Sequence, residues 1–108
     1  MDDDAAVSAM SGADLQRMRA RRDDTHRLLL AIRNRINREA EDMVKNSHSL
    51  LHTHGRHSTS WTRGHERAFR TWQGQGLSDH RREIGALEAK LRRQNAAIAQ
   101  YHLARASK

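Results

Sequence analysis

Apolar residues recur along this chain with helical periods and never with the two-residue period of a strand. The most regular run starts at Leu77 and continues through His80, Ile84, Leu87, Leu91, Gln94, Ile98 and Tyr101, in alternating steps of three and four. That is a heptad seam, the pattern by which helices bury one stripe against each other. An earlier run, Leu29, Ile32, Ile36 and Met43, advances by three, four and seven and predicts a second seam. Ser11 or Asp14 can cap the helix that carries it, whose opening turns hold Leu15 and Met18 among several arginines.

Between the two runs, residues 52–60 contain Gly55 and a cluster of Ser and Thr that breaks the periodicity, which predicts a turn. Ser58, Thr59 or Ser60 is a ready N-cap for a helix opening at Trp61. Gly74 and Gly76 cost about 1 kcal/mol each in a helix interior, so a break is predicted near 74–78. The expected organisation is a disordered acidic tail over 1–12, a helix over about 14–51, the turn, a second helix over about 61–104, and a frayed end over 105–108. The predicted fold class is all-α: an antiparallel helical hairpin with a coiled-coil-like seam. Two such hairpins packed as a four-helix bundle bury seams that one leaves wet. The expected interface is therefore Leu29, Ile32, Ile36, Met43, Ile84, Leu87, Leu91, Ile98 and Tyr101. His80 and Gln94, the polar seam members, are read as setting register or partner choice.

Composition supports this reading and narrows it. The 108 residues include no proline, and only 36% are apolar, which is little surface for long amphipathic helices to bury within one chain. A partner, either itself or a second small helical protein, is expected. With no cysteine there are no disulfides, thiolate metal sites or cysteine nucleophiles. The longest apolar run, Leu28 to Ile32, is far short of a bilayer span, so no membrane insertion is expected. The acidic start, Met1-Asp2-Asp3-Asp4, is unlike a conventional signal peptide. The chain is expected to be cytoplasmic, with any export by a leaderless route.

The formal net charge is +7, and 17 of the 20 cations are arginine, a balance that favours acidic partners including nucleic acid. Arg81, Arg82, Lys90, Arg92 and Arg93 are the candidate phosphate contacts. Asp23, Asp24, Glu83 and Glu88 interrupt the basic clusters, and no aromatic is interleaved with them as a stacking platform. His48 and His52 have the spacing that places two imidazoles on one metal, with Glu66 or His57 as a third ligand. Their flanks match no zinc pattern, so a polar turn without metal is the expectation. Nothing resembles a nucleophile elbow, a phosphate loop or a catalytic carboxylate pair, so neither an enzyme nor a cofactor is expected.

Residues 60–74 hold Trp61, Phe69 and Trp72, three of the four aromatic rings outside histidine, which are read as one face plugging the turn end. Trp61 is followed by Gly64 at the turn, Ala68-Phe69 comes a little later, and Leu87, Leu91, Ile98 and Tyr101 continue the pattern. This layout resembles the Trp-X-Gly, or ESAT-like, family of small helical hairpins handled by type VII secretion, over about residues 14–101. The glycine after Trp61 stands one residue late, and the literal Trp-Gln-Gly is Trp72 to Gly74. The resemblance implies a non-enzymatic protein acting through homo- or heterodimerisation. In the tyrosine export signal such proteins often carry, the acid is replaced by Arg105, so export would depend on a partner bearing the signal. Two alternatives stay open: an arginine-rich coiled coil binding nucleic acid or an acidic protein, and a structural or adaptor subunit of a larger assembly.

Overall fold

The computed structural model describes residues 11–106. It contains three helices, α1 (Gly12–Lys45), α2 (Arg63–Asp79) and α3 (Arg81–Ala106), and no strand among the described residues. The chain divides into two compact units. One joins residues 11–29 with residues 85–106; the other is Leu30–Ile84.

Helix α1 starts earlier than its predicted bound. The Ser11 hydroxyl accepts from the Asp14 amide at 3.2 Å while Asp14 Oδ2 accepts from the Ser11 amide at 2.8 Å, a reciprocal cap. Ser11 and Gly12 thus belong to the helix start, and the rest of the expected tail lies outside the described residues. The helix also ends sooner, at Lys45 rather than near 51. Asn46, Ser47, His48 and Ser49 are weak helix formers, and Ser47 Oγ accepts from the Ser49 amide at 3.3 Å, offering the backbone an alternative partner.

In the first unit α1 and α3 run in opposite directions. Arg22 donates to Asn95 at 3.2 Å and Arg19 meets His102 at 3.4 Å. Thr25 and Leu29 of α1 and Ile98, Tyr101 and Ala104 of α3 are buried. Gln94 is half-buried, and its side-chain oxygen is buried without a partner.

In the second unit the buried stripe of α1 is Ile32, Ile36, Ala40 and Val44. Its steps of four advance further than the alternating three and four of a heptad, so the stripe leaves the predicted heptad at Met43, which is 44% exposed. Val44 and Ala40 instead pack with Phe69, flanked by Leu50, Trp61 and Ala68. Helix α2 opens later than predicted, with Thr62 as its N-cap, because the hydroxyls of Ser58 and Ser60 are bonded within the preceding segment.

The predicted break at 74–78 does not occur: α2 passes through both glycines and ends at Asp79. His80 is the joint, ending α2 with its amide on the Gly76 carbonyl at 3.1 Å and accepting at its own carbonyl from the Ile84 amide at 2.9 Å. The reason lies at Gly76. A Cβ there would stand 2.7 Å from Ile36 Cγ2, so the missing side chain is the space α1 occupies. Gly74 has nothing within 4 Å of the same position. The two glycines should therefore respond oppositely to alanine. Gly76→Ala should lose about 1–2 kcal/mol in chemical denaturation through overpacking against a stiff β-branched neighbour. Gly74→Ala should gain about 0.5–1 kcal/mol from helix propensity alone.

Candidate partner-binding surfaces

The segment between α1 and α2 is folded by its own polar groups. Gly55 sits at φ 126°, a conformation that favours glycine, with Glu41 Oε2 placed 3.2 Å from where a Cβ would be. Thr53 and Ser60 share a hydrogen bond of 2.9 Å, Ser60 Oγ accepts from the His54 amide at 2.8 Å, and Ser58 Oγ donates to the Gly55 carbonyl at 2.6 Å.

His65 ties this segment to α2. Its Nδ1 accepts from the Thr62 amide at 3.0 Å, and its Nε2 lies 2.7 Å from the Leu51 carbonyl. An amide can only donate and a carbonyl only accept, so the partners assign the neutral tautomer with the proton on Nε2. His65 takes the place usually held by Glu or Gln in a capping box, and it is buried. Glu66, one residue on, collects the cations. Arg56 donates to it at 2.9 Å and 2.6 Å, Trp61 Nε1 at 3.3 Å, and Arg70 stands 3.7 Å away. The Arg56 hydrogen bonds hold the Glu66 carboxyl below the usual carboxylate range, against the opposing pull of desolvation. The Arg56 guanidinium also lies 4.1 Å from the centre of the Phe69 ring, which meets Trp61 edge-on at 6.2 Å.

Of the predicted turn motif, Trp61, Gly64 and Phe69 meet here. A Cβ at Gly64 would find only ordinary contacts, 3.5 Å to Thr62 Oγ1 and 3.9 Å to Leu50 Cδ2, so packing does not demand that glycine. Trp72 and Gly74 are not part of this cluster. The single aromatic face assumed one helix from Trp61 onward, but Trp61 precedes the N-cap, and the inward stripe of α2 runs His65, Phe69, Gln73 and Gly76. Gln73 reaches Asn37 of α1 at 2.8 Å, leaving Trp72 at the edge, 43% exposed.

That edge is one wall of an open groove between α1 and α2 of about 410 Å³, lined by Ile36, Glu39, Ala40, Asp42, Met43, Trp72, Gln75, Gly76 and Asp79. Nothing in the apolar periodicity pointed to it, because Trp72 and Met43 read as inward members of their stripes. Six of the predicted interface residues, Leu29, Ile32, Ile36, Ile84, Ile98 and Tyr101, are buried by their own chain and have almost no surface left for a partner. Leu87 and Leu91 are half-buried and Met43 is exposed. Arg81, Arg82, Lys90, Arg92 and Arg93 are all exposed along α3.

His48 and His52 lie beyond the end of α1, outside the helical spacing that would pair them, and Glu66 is held by Arg56. Among the described residues no three His, Cys, Asp or Glu side chains are placed to share a metal ion. No helix among them is long and apolar enough to cross a membrane. Comparison with protein-family models, curated proteins and solved structures finds no match to the chain.

The Glu66 geometry gives a pH dependence with a definite sign. A carboxyl depressed by folding contributes stability above the ordinary glutamate range, and that contribution is lost as the pH falls through its folded value. The chain should lose denaturation free energy on acidification. Glu66→Gln should be less stable at neutral pH and show a shallower acid slope, and equal slopes for the two proteins would count against the assignment.

Proposed function

We propose that the chain is a non-enzymatic helical-hairpin interaction protein that pairs with itself or with a second small helical protein. The carrying observation is the exposure of Trp72 and Met43 on the walls of one apolar groove. Trp is strongly enriched where binding energy concentrates, and a large aromatic left exposed beside an exposed Met is the kind of surface a partner covers. Pairing then runs through the groove walls of α1 and α2, in a four-helix arrangement. The resemblance to secretion-linked Trp-X-Gly proteins supports the same reading, since Trp61 to Gly64 falls where the interhelical segment enters α2. On that reading the chain is made in the cytoplasm, and a partner supplies any export signal.

The exposed Arg81, Arg82, Lys90, Arg92 and Arg93 on one helix favour a second reading, an arginine-rich surface for nucleic acid or an acidic protein. Native mass spectrometry of the protein isolated from its own host in mild salt separates the two. The leading reading predicts a homodimer, or a stoichiometric complex with a small helical protein, weakened about tenfold or more by Trp72→Ala. A monomer that co-purifies with nucleic acid, stripped by high salt and lost in Arg92→Gln/Arg93→Gln, would replace it.

A further inference from the structure

The groove has a direction, a floor and a charge. Each helix lines it with residues at i, i+3, i+4 and i+7: Ile36, Glu39, Ala40 and Met43 on α1, and Trp72, Gln75, Gly76 and Asp79 on α2. Seven residues of helix rise about 10 Å, so the groove follows two turns of both helices rather than forming a round pit. The floor is low because Ala40 is small and Ile36 is buried against Gly76, while Met43 and Trp72 are exposed on either side. This is the receptive half of helix-in-groove recognition, in which one face of an amphipathic helix sets its side chains between two others.

The charge identifies the occupant. Glu39, Asp42 and Asp79 border the groove of a chain whose formal net charge is +7. Glu39 has Arg35 only at 3.9 Å, and Asp79 accepts from the neutral Gln75 at 2.8 Å. A second copy packed groove to groove would bring both sets of carboxylates around one apolar contact, an arrangement that like charges disfavour. A basic partner meets no such opposition.

We propose that this groove takes one face of a basic amphipathic helix from a partner protein. An aliphatic side chain sits between Trp72 and Met43 over Gly76, and lysine or arginine on the flanking turns reaches Glu39, Asp42 and Asp79. The proposal rests on the reading of the chain as an interaction protein and adds the chemistry of its partner.

The test titrates the full chain against two fluorescein-labelled peptides, followed by anisotropy. One is a designed helix with leucines at i, i+3, i+4 and i+7 and lysines elsewhere; the other replaces lysine by glutamate. The net charge of the chain steers it towards the glutamate peptide, so tighter binding of the lysine peptide has to come from the groove. Expected is binding of the lysine peptide, weakened about tenfold or more by Trp72→Ala. The triple variant Glu39→Gln/Asp42→Asn/Asp79→Asn should weaken it too and flatten its salt dependence, with unchanged circular dichroism.

Other outcomes overturn the proposal, and they separate it from the reading beneath it. If the glutamate peptide binds more tightly and needs Trp72, the groove docks a helix of opposite charge, and the interaction reading stands alone. If neither peptide binds but Trp72→Ala dissolves a homodimer, the occupant is a second copy. Lysine-peptide binding indifferent to both variants places the peptide elsewhere. If neither peptide binds and the chain stays monomeric, both readings fall.

Discussion

The close approach of α1 to α2 at Gly76 governs the second unit. A Cβ at Gly76 would stand 2.7 Å from Ile36 Cγ2, so any side chain there would force the two helices apart. The glycine costs about 1 kcal/mol of helix propensity, and the burial of Ile36 offsets it. The consequences run in both directions along the pair. Towards the N-terminus of α2, Phe69 reaches Ala40 and Val44 and closes the core. On the open side Ile36, Ala40 and Gly76 lie low between Met43 and Trp72, and a groove runs over them.

The end of the unit that carries the interhelical segment uses a different kind of cohesion. Its apolar cluster is small, and the long stretch between the helices is organised by hydroxyls, one histidine and one carboxylate. Glu66 accepts from Arg56 and Trp61 at once, and the same Arg56 covers the face of Phe69. Such a network is worth having only when every member is satisfied, since an unpaired buried group costs about 1–3 kcal/mol. His65 meets that condition on both ring nitrogens. Polar bonding does at this end what a richer chain would do with aliphatic side chains.

The helical character and the burial of Ile32, Ile36, Phe69 and Ile98 were legible because apolar residues at helical spacing have few other places to go, but Ile32, Ile36 and Ile98 are covered by their own chain rather than held for a partner. Met43 and Trp72 were misplaced for a related reason. The step of seven from Ile36 to Met43 fits a heptad seam, and only Ala40 and Val44, smaller and less conspicuous, show that the buried stripe advances by four instead. Gly74 and Gly76 look alike in sequence, yet one faces open space and the other a neighbouring helix. Periodicity reads one helix at a time, and a gap shared by two helices has no signature in either. The early end of α1 is partly visible in Asn46, Ser47, His48 and Ser49, but Leu50 and Leu51 carry the apolar pattern past it. Leu50 instead folds onto the core from outside the helix, and Leu51 is 80% exposed.

The groove also bears on how charge should be read in such a chain. A net charge of +7 selects acidic partners as they approach, because at a distance only the sum is felt. In contact the sum matters little. Salt screens charges beyond about 8–10 Å, and a cation on a turn flanking the groove is nearer than that to the carboxylates that border it, Glu39, Asp42 and Asp79. The same chain therefore presents exposed arginines along α3 and a carboxylate-bordered groove between α1 and α2, two surfaces of opposite sign. On the proposed docking, partner choice at the groove rests on three acids and a tryptophan, against the sign of the whole.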